Sequence, residues 1–121
     1  MGPAATLSEP LIQIALLGEA MQHVPVAVFV FDADGKYVAV NAHACKVLGY
    51  EREELLSHRI GDLAVDRHGA IHEYIAVAEG RAEEGTTRVR RSDGSEVSLR
   101  FHGAPTTIGG VTFYAGVAWE A

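Results

Sequence analysis

The sequence predicts an α+β domain: one five-stranded antiparallel sheet, short helices over one face and an N-terminal helix over the other. Three observations lead there. Apolar, strand-like runs come in two groups, two before Asn41 and three after Gly85. Within the groups, Gly-bearing turns at Asp32-Ala33-Asp34-Gly35, Ser92-Asp93-Gly94-Ser95 and Gly109-Gly110 set neighbouring runs antiparallel. Between the groups, helical spacing replaces alternation. With 121 residues, 48% of them hydrophobic, the chain suits one domain around one core.

Residues 1–7 read as a flexible leader containing Gly2 and Pro3, and residues 8–24 as an amphipathic cap or dimerisation helix. Ser8 is placed to cap that helix, and Pro10 falls in its first turn, where proline is tolerated. Leu11, Ile14, Leu17 and Met21 follow at helical spacing with Ile12, Leu16 and Ala20 beside them, a stripe wider than one sheet contact requires. Pro25 ends the helix and opens the core domain, residues 25–121.

Val26–Phe31 is apolar at every position, so both faces of this first strand are expected to be covered; Lys36–Val40 returns beside it. Asn41 is positioned to cap a helix over Ala42–Leu48, with Gly49 as its left-handed terminus and Tyr50 as the apolar partner. Glu51–Leu56 starts with acids that suit a helix N-terminus. Asp66 caps a longer helix to Val77 or Ala78, with Ile71, Tyr74, Ile75 and Ala78 on one face and Gly80 at its end. Thr86–Arg91 and Glu96–His102 flank a hairpin turn, and Val97, Leu99 and Phe101 alternate with Ser98, Arg100 and His102, so one face is buried. Pro105 is expected to end that strand, and Val111–Trp119 is the last.

A net charge of −6 argues against direct nucleic-acid binding, which needs a positive surface. The basic cluster Arg88, Arg90 and Arg91 reads as a solvated strand face. No apolar run reaches the roughly 20 residues that span a bilayer, and the start lacks secretory features. Cys45, the one cysteine, has no internal disulfide partner and suits a reducing cytoplasm.

Several segments together resemble the PAS family. Residues 25–35 resemble its first strand and turn, and Asn41 matches the asparagine that ends its second strand. Leu48-Gly49-Tyr50 with Glu53-Glu54-Leu55 matches an LGY..EEL pattern, and Arg91-Ser92-Asp93-Gly94-Ser95 matches an R-x-DG-S hairpin. The resemblance implies strand order 2-1-5-4-3, a ligand cavity, and a homodimer formed through the N-terminal helix and sheet. It further implies a signalling effector: a histidine kinase of a two-component system, a cyclic-nucleotide enzyme or a transcription factor. The family's D-I-T segment is here only Trp119-Glu120-Ala121.

Short helices crossing a sheet leave concave apolar space, where small molecules bind. The expected cavity residues are Val28, Val30, Asn41, Leu48, Ile60, Ile71, Ile75, Leu99, Phe101, Val117 and Trp119. Asn41 is the polar group placed to meet a ligand or to fix its own turn. Leu11, Ile14, Leu17, Met21, Phe29 and Phe31 are the expected dimer interface. For haem, His72, four residues after His68, is the candidate ligand; the pair lacks a third ligand for zinc. Covalent flavin photochemistry would require a cysteine in an N-C-R-F-L segment, which Cys45 does not supply. Asp32, Asp62 and Asp66 sit at turns and helix starts, where acids have structural roles, so no catalytic site is expected. The readings that follow are a sensor of a small apolar ligand, a filled dimerisation module, and a haem-based gas or redox sensor.

Overall fold

The computed structural model of the chain describes residues 9–82 and 84–121. The leader and the Ser8 cap lie outside the described residues. Among the described residues four helices and five strands follow in order: α1 (Pro10–His23), β1 (Ala27–Phe31), β2 (Tyr37–Val40), α2 (Ala42–Leu48), α3 (Arg52–Leu55), α4 (Arg67–Ala78), β3 (Glu84–Arg90), β4 (Glu96–Ile108) and β5 (Val111–Glu120). The strands form one sheet in the order β2-β1-β5-β4-β3, antiparallel throughout.

Local chemistry accounts for the helix boundaries. Asn41 caps α2 by accepting from the Ala44 amide, and Gly49 ends it at φ 76°, a conformation that costs glycine no steric penalty. Asp66 caps α4 by accepting from the Gly69 amide. The segments that carry the resemblance meet in space. The Ser92 hydroxyl donates to the Gly49 carbonyl, Ser92 N donates to Leu48 O at 3.2 Å, and Arg91 Nε donates to Val47 O at 2.9 Å. The β3–β4 hairpin is thereby clamped to the end of α2.

The β1 parity differs from the expectation. Phe29 faces the core, with Ala27 before it and Phe31 after it, and the alternating Val28 and Val30 lie on the opposite sheet face. A strand apolar at every position carries no alternation to say which set turns inward. The register repeats the choice on β5, where Ala27, Phe29 and Phe31 pair with Ala118, Gly116 and Tyr114, because cross-strand partners share a face.

Two further expectations are corrected. β4 runs past Pro105 to Ile108, with Pro105 opposite Tyr114. The β3 ladder stops at Glu84↔His102, so beyond it β4 is an edge, where proline is tolerated. The second correction concerns α1, which does not lie over the sheet's outer face. It packs against α2 at its C-terminal end, and none of its residues is buried.

The core lies between the sheet's other face and the helical crossing. Leu48 and Leu55 are its fully buried large side chains. The segment between α3 and α4 spans the sheet from edge to edge. At one end Tyr37 N donates to His58 O and Ile60 N to Gly35 O; at the other, Val65 N donates to Arg88 O and Arg90 N to Leu63 O. Backbone pairing at both sheet edges makes this segment a fixed roof.

Candidate functional site

Between sheet and roof lies an apolar cavity of about 100 Å³. Its floor is shaped by small residues. Gly116 and Ala118 occupy the inward positions of β5 opposite Phe29 and Ala27, and Gly103 of β4 pairs with Gly116. Side chains of ordinary size there would fill the space. Phe29, Phe31, Leu99 and Phe101 supply the aromatic and aliphatic walls, and Leu48, Ile60, Tyr74 and Val77 close it from the helical side. Gly85 stands opposite Phe101, and a Cβ there would meet the Glu73 carboxylate as well as Phe101 Cζ, so the bare backbone makes room for both.

Of the expected cavity residues, the structure brings Leu48, Ile60, Leu99, Phe101 and Val117 to the wall. Val117 borders it through backbone, since its partner Val28 lies on the far face. Val28 and Val30 point away, replaced by Phe29 and Phe31. These two phenylalanines therefore belong to the cavity and not to a dimer face. Ile71 packs against the Gly61 turn and Ile75 is solvent-exposed; the inward line of α4 is Ala70, Tyr74 and Val77. Apolar residues surround α4 on all sides, so periodicity alone did not orient it. Trp119 is exposed and borders an outer groove with Pro25, His43, Lys46 and Arg91.

Asn41 also lies outside the cavity wall, and its side chain is fully used. Its Oδ1 accepts from Val28 N at 2.9 Å and Ala44 N at 3.0 Å, and Nδ2 donates to Met21 O at 2.8 Å and Val26 O at 2.9 Å. It is 4% exposed and joins α1, β1 and α2.

The polar side chains among the wall residues all carry hydroxyls, three of them tyrosines that the sequence did not assign to the cavity: Tyr37, Tyr74 and Tyr114, with Thr87 beside them. The Tyr74 hydroxyl donates to Asp32 O at 3.1 Å. Burial pushes its pKa up to about 12, with Tyr114, Asp32 and Asp34 adding to the rise. Burial also raises Tyr37, and the Asp62 charge adds to it, so both phenols stay protonated. The tyrosines that pack on Phe31, Tyr37 tilted at 4.6 Å and Tyr74 edge-on at 5.9 Å, were legible as aromatics but not as cavity lining, because their inward direction depends on sheet register.

The residues do not fit haem. His68 and His72 are exposed on α4, and among the described residues no histidine, cysteine or methionine stands in the wall, so none of them supplies iron with such an axial ligand there. A cofactor of flavin or haem size also exceeds the space, since pockets for ligands of drug size run to roughly 300–1,000 Å³. Cys45 lies outside the wall, half-buried on α2. Burial raises its thiol pKa, opposed by the nearby Arg52. Among the described residues no group of three or more His, Cys, Asp or Glu could hold a metal, and no helix is long and apolar enough to cross a membrane.

A family profile described as PAS fold matches residues 16–118. No curated protein matches the chain. Among solved structures, a PAS domain from a two-component sensor histidine kinase is 18% identical, with TM-score 0.80 over 93% of this chain and 100% of that one. A domain of a sensory box sensor histidine kinase/response regulator from Geobacter sulfurreducens is 22% identical, with TM-score 0.80 over 94% of this chain and 99% of the other. An RNA-binding light-oxygen-voltage receptor is 27% identical, with TM-score 0.77, covering 99% of this chain and 36% of that one. The sheet order, the clamped hairpin and the profile agree: the chain belongs to the PAS family.

Proposed function

We propose that this PAS domain is a sensor module that binds a small apolar molecule between sheet and roof and pairs with a second copy through α1. The observation that carries the reading is the cavity, whose wall is apolar apart from hydroxyl-bearing residues and, among the described residues, holds no carboxylate, imidazole or thiol. Such a wall suits binding by burial of apolar surface and offers nothing for acid–base or nucleophilic catalysis.

Pairing is supported by α1. Leu11 is 80% exposed, and Ile14, Leu17 and Met21 lie exposed along the same side. A helix carrying that much uncovered apolar surface gains by burying it against a partner, and a two-fold contact is the commonest closed arrangement. Asn41 bonds α1 to β1, whose Phe29 and Phe31 line the cavity, which supports coupling from ligand to α1 and on to a signalling effector such as a histidine kinase. The RNA binding of the light-oxygen-voltage receptor is not carried over: a net charge of −6 disfavours it.

Native mass spectrometry of the purified protein tests the reading. Twice the chain mass, with a retained small molecule or uptake of an added apolar one, is the expected result. A monomer at high concentration that takes up nothing would remove it; a dimer that takes up nothing would leave only a structural pairing module.

A further inference from the structure

The cavity contains one polar group whose situation is costly. Tyr37, on β2, is 8% exposed, and its ring packs on Phe29 and Phe31 at 5.8 and 4.6 Å. Burial and the Asp62 charge act on its hydroxyl, and no hydrogen bond does. Every fully buried side-chain oxygen among the described residues has a partner, so the Tyr37 hydroxyl, which has none, is not fully sealed, and Tyr37 is one of the residues of the cavity wall. An unpaired buried hydroxyl forfeits stability that a partner would restore. Among the described residues no charged side chain lines the cavity, so none of them offsets the desolvation of a charged ligand, and Asp62 disfavours an anion near Tyr37.

We infer that the cavity selects an uncharged, compact, mostly apolar molecule carrying one hydrogen-bond acceptor, such as a ketone oxygen, and that the Tyr37 hydroxyl donates to it. This rests on the ligand-binding reading above and adds the ligand's chemical class and the residue that recognises it. The volume, about 100 Å³, compares with the roughly 150 Å³ apolar cavity that holds benzene, which sets the ligand at about one small ring.

The test titrates the full chain and its Tyr37→Phe variant, followed by methyl NMR, with three probes: cyclohexanone, its isosteric hydrocarbon methylenecyclohexane, and cyclohexanecarboxylate. The expected result is that Tyr37→Phe weakens cyclohexanone roughly three- to tenfold, as for one neutral hydrogen bond, and leaves methylenecyclohexane within about twofold. Carboxylate binding is expected to be the weakest of the three. The hydrocarbon arm also reports that the variant's cavity is intact. Equal weakening of ketone and hydrocarbon, no weakening of either, or a preference for the carboxylate overturns the assignment to Tyr37 while the cavity still binds. Failure of all probes on the unaltered chain removes the ligand-binding reading and this inference with it.

Discussion

Replacing Asn41 with alanine removes four hydrogen bonds at once, and the structure sets the size of the effect. The α2 cap from Asn41 to the Ala44 amide is lost, at about 1 kcal/mol. The Val28 amide and the Met21 and Val26 carbonyls lose their Asn41 partners, at roughly 1–3 kcal/mol for each that stays buried and dry. Water reaches some of these groups once the side chain is gone, so a total of about 3–4 kcal/mol is expected. In a domain of this size that lowers Tm by roughly 10–20 °C. Urea unfolding followed by circular dichroism measures it. Asn41→Asp serves as the control: it keeps both acceptor bonds but sets a carboxylate against the Met21 and Val26 carbonyls, so it too is destabilised at neutral pH. A loss below about 1 kcal/mol for Asn41→Ala, close to an ordinary surface change, would mean that these four bonds do not hold α1, β1 and α2 together.

Other expectations follow from the same geometry. Leu17→Glu places a charge on the exposed side of α1, so it is expected to leave the fold's Tm nearly unchanged and to shift the proposed dimer to monomer in sedimentation analysis. Leu99→Ala, at a position 3% exposed in the cavity wall, is expected to cost about 2–5 kcal/mol in urea unfolding and to enlarge the space for apolar probes. Asp62 is held below the usual carboxylate range, chiefly by the Arg59 amide and then by His58 and Arg67. Its folded pKa is thus lower than its unfolded one, so its stabilising effect is complete above the unfolded value and lost as pH falls through the folded one. The stability gap between the native chain and Asp62→Asn is therefore expected to narrow on acidification in pH-resolved unfolding.

What was legible in the sequence was local. The caps at Asn41 and Asp66, the left-handed Gly49 and the Asp-Gly turns each depend on a few neighbouring residues, and the structure places helices and hairpins where they point. What was not legible depended on facing. β1 is apolar at every position and α4 on every side, so neither pattern distinguishes cavity from exterior. Val28 and Val30 were expected inside for that reason, and Ile71 and Ile75 as well. The place of α1 was equally silent, since an apolar stripe states that a helix wants cover without naming what supplies it. Tyr37 was legible only as an aromatic: its importance comes from a buried hydroxyl without a hydrogen-bond partner, which only register and packing reveal.

Xenon probes most directly whether the space between sheet and roof admits an apolar guest. Methyl NMR of the intact protein under xenon pressure is predicted to show saturable shifts at Leu48, Val89 and Leu99, which line the cavity. Shifts confined to surface methyls such as those of Leu11 and Ile108, with the cavity methyls unmoved, would contradict it.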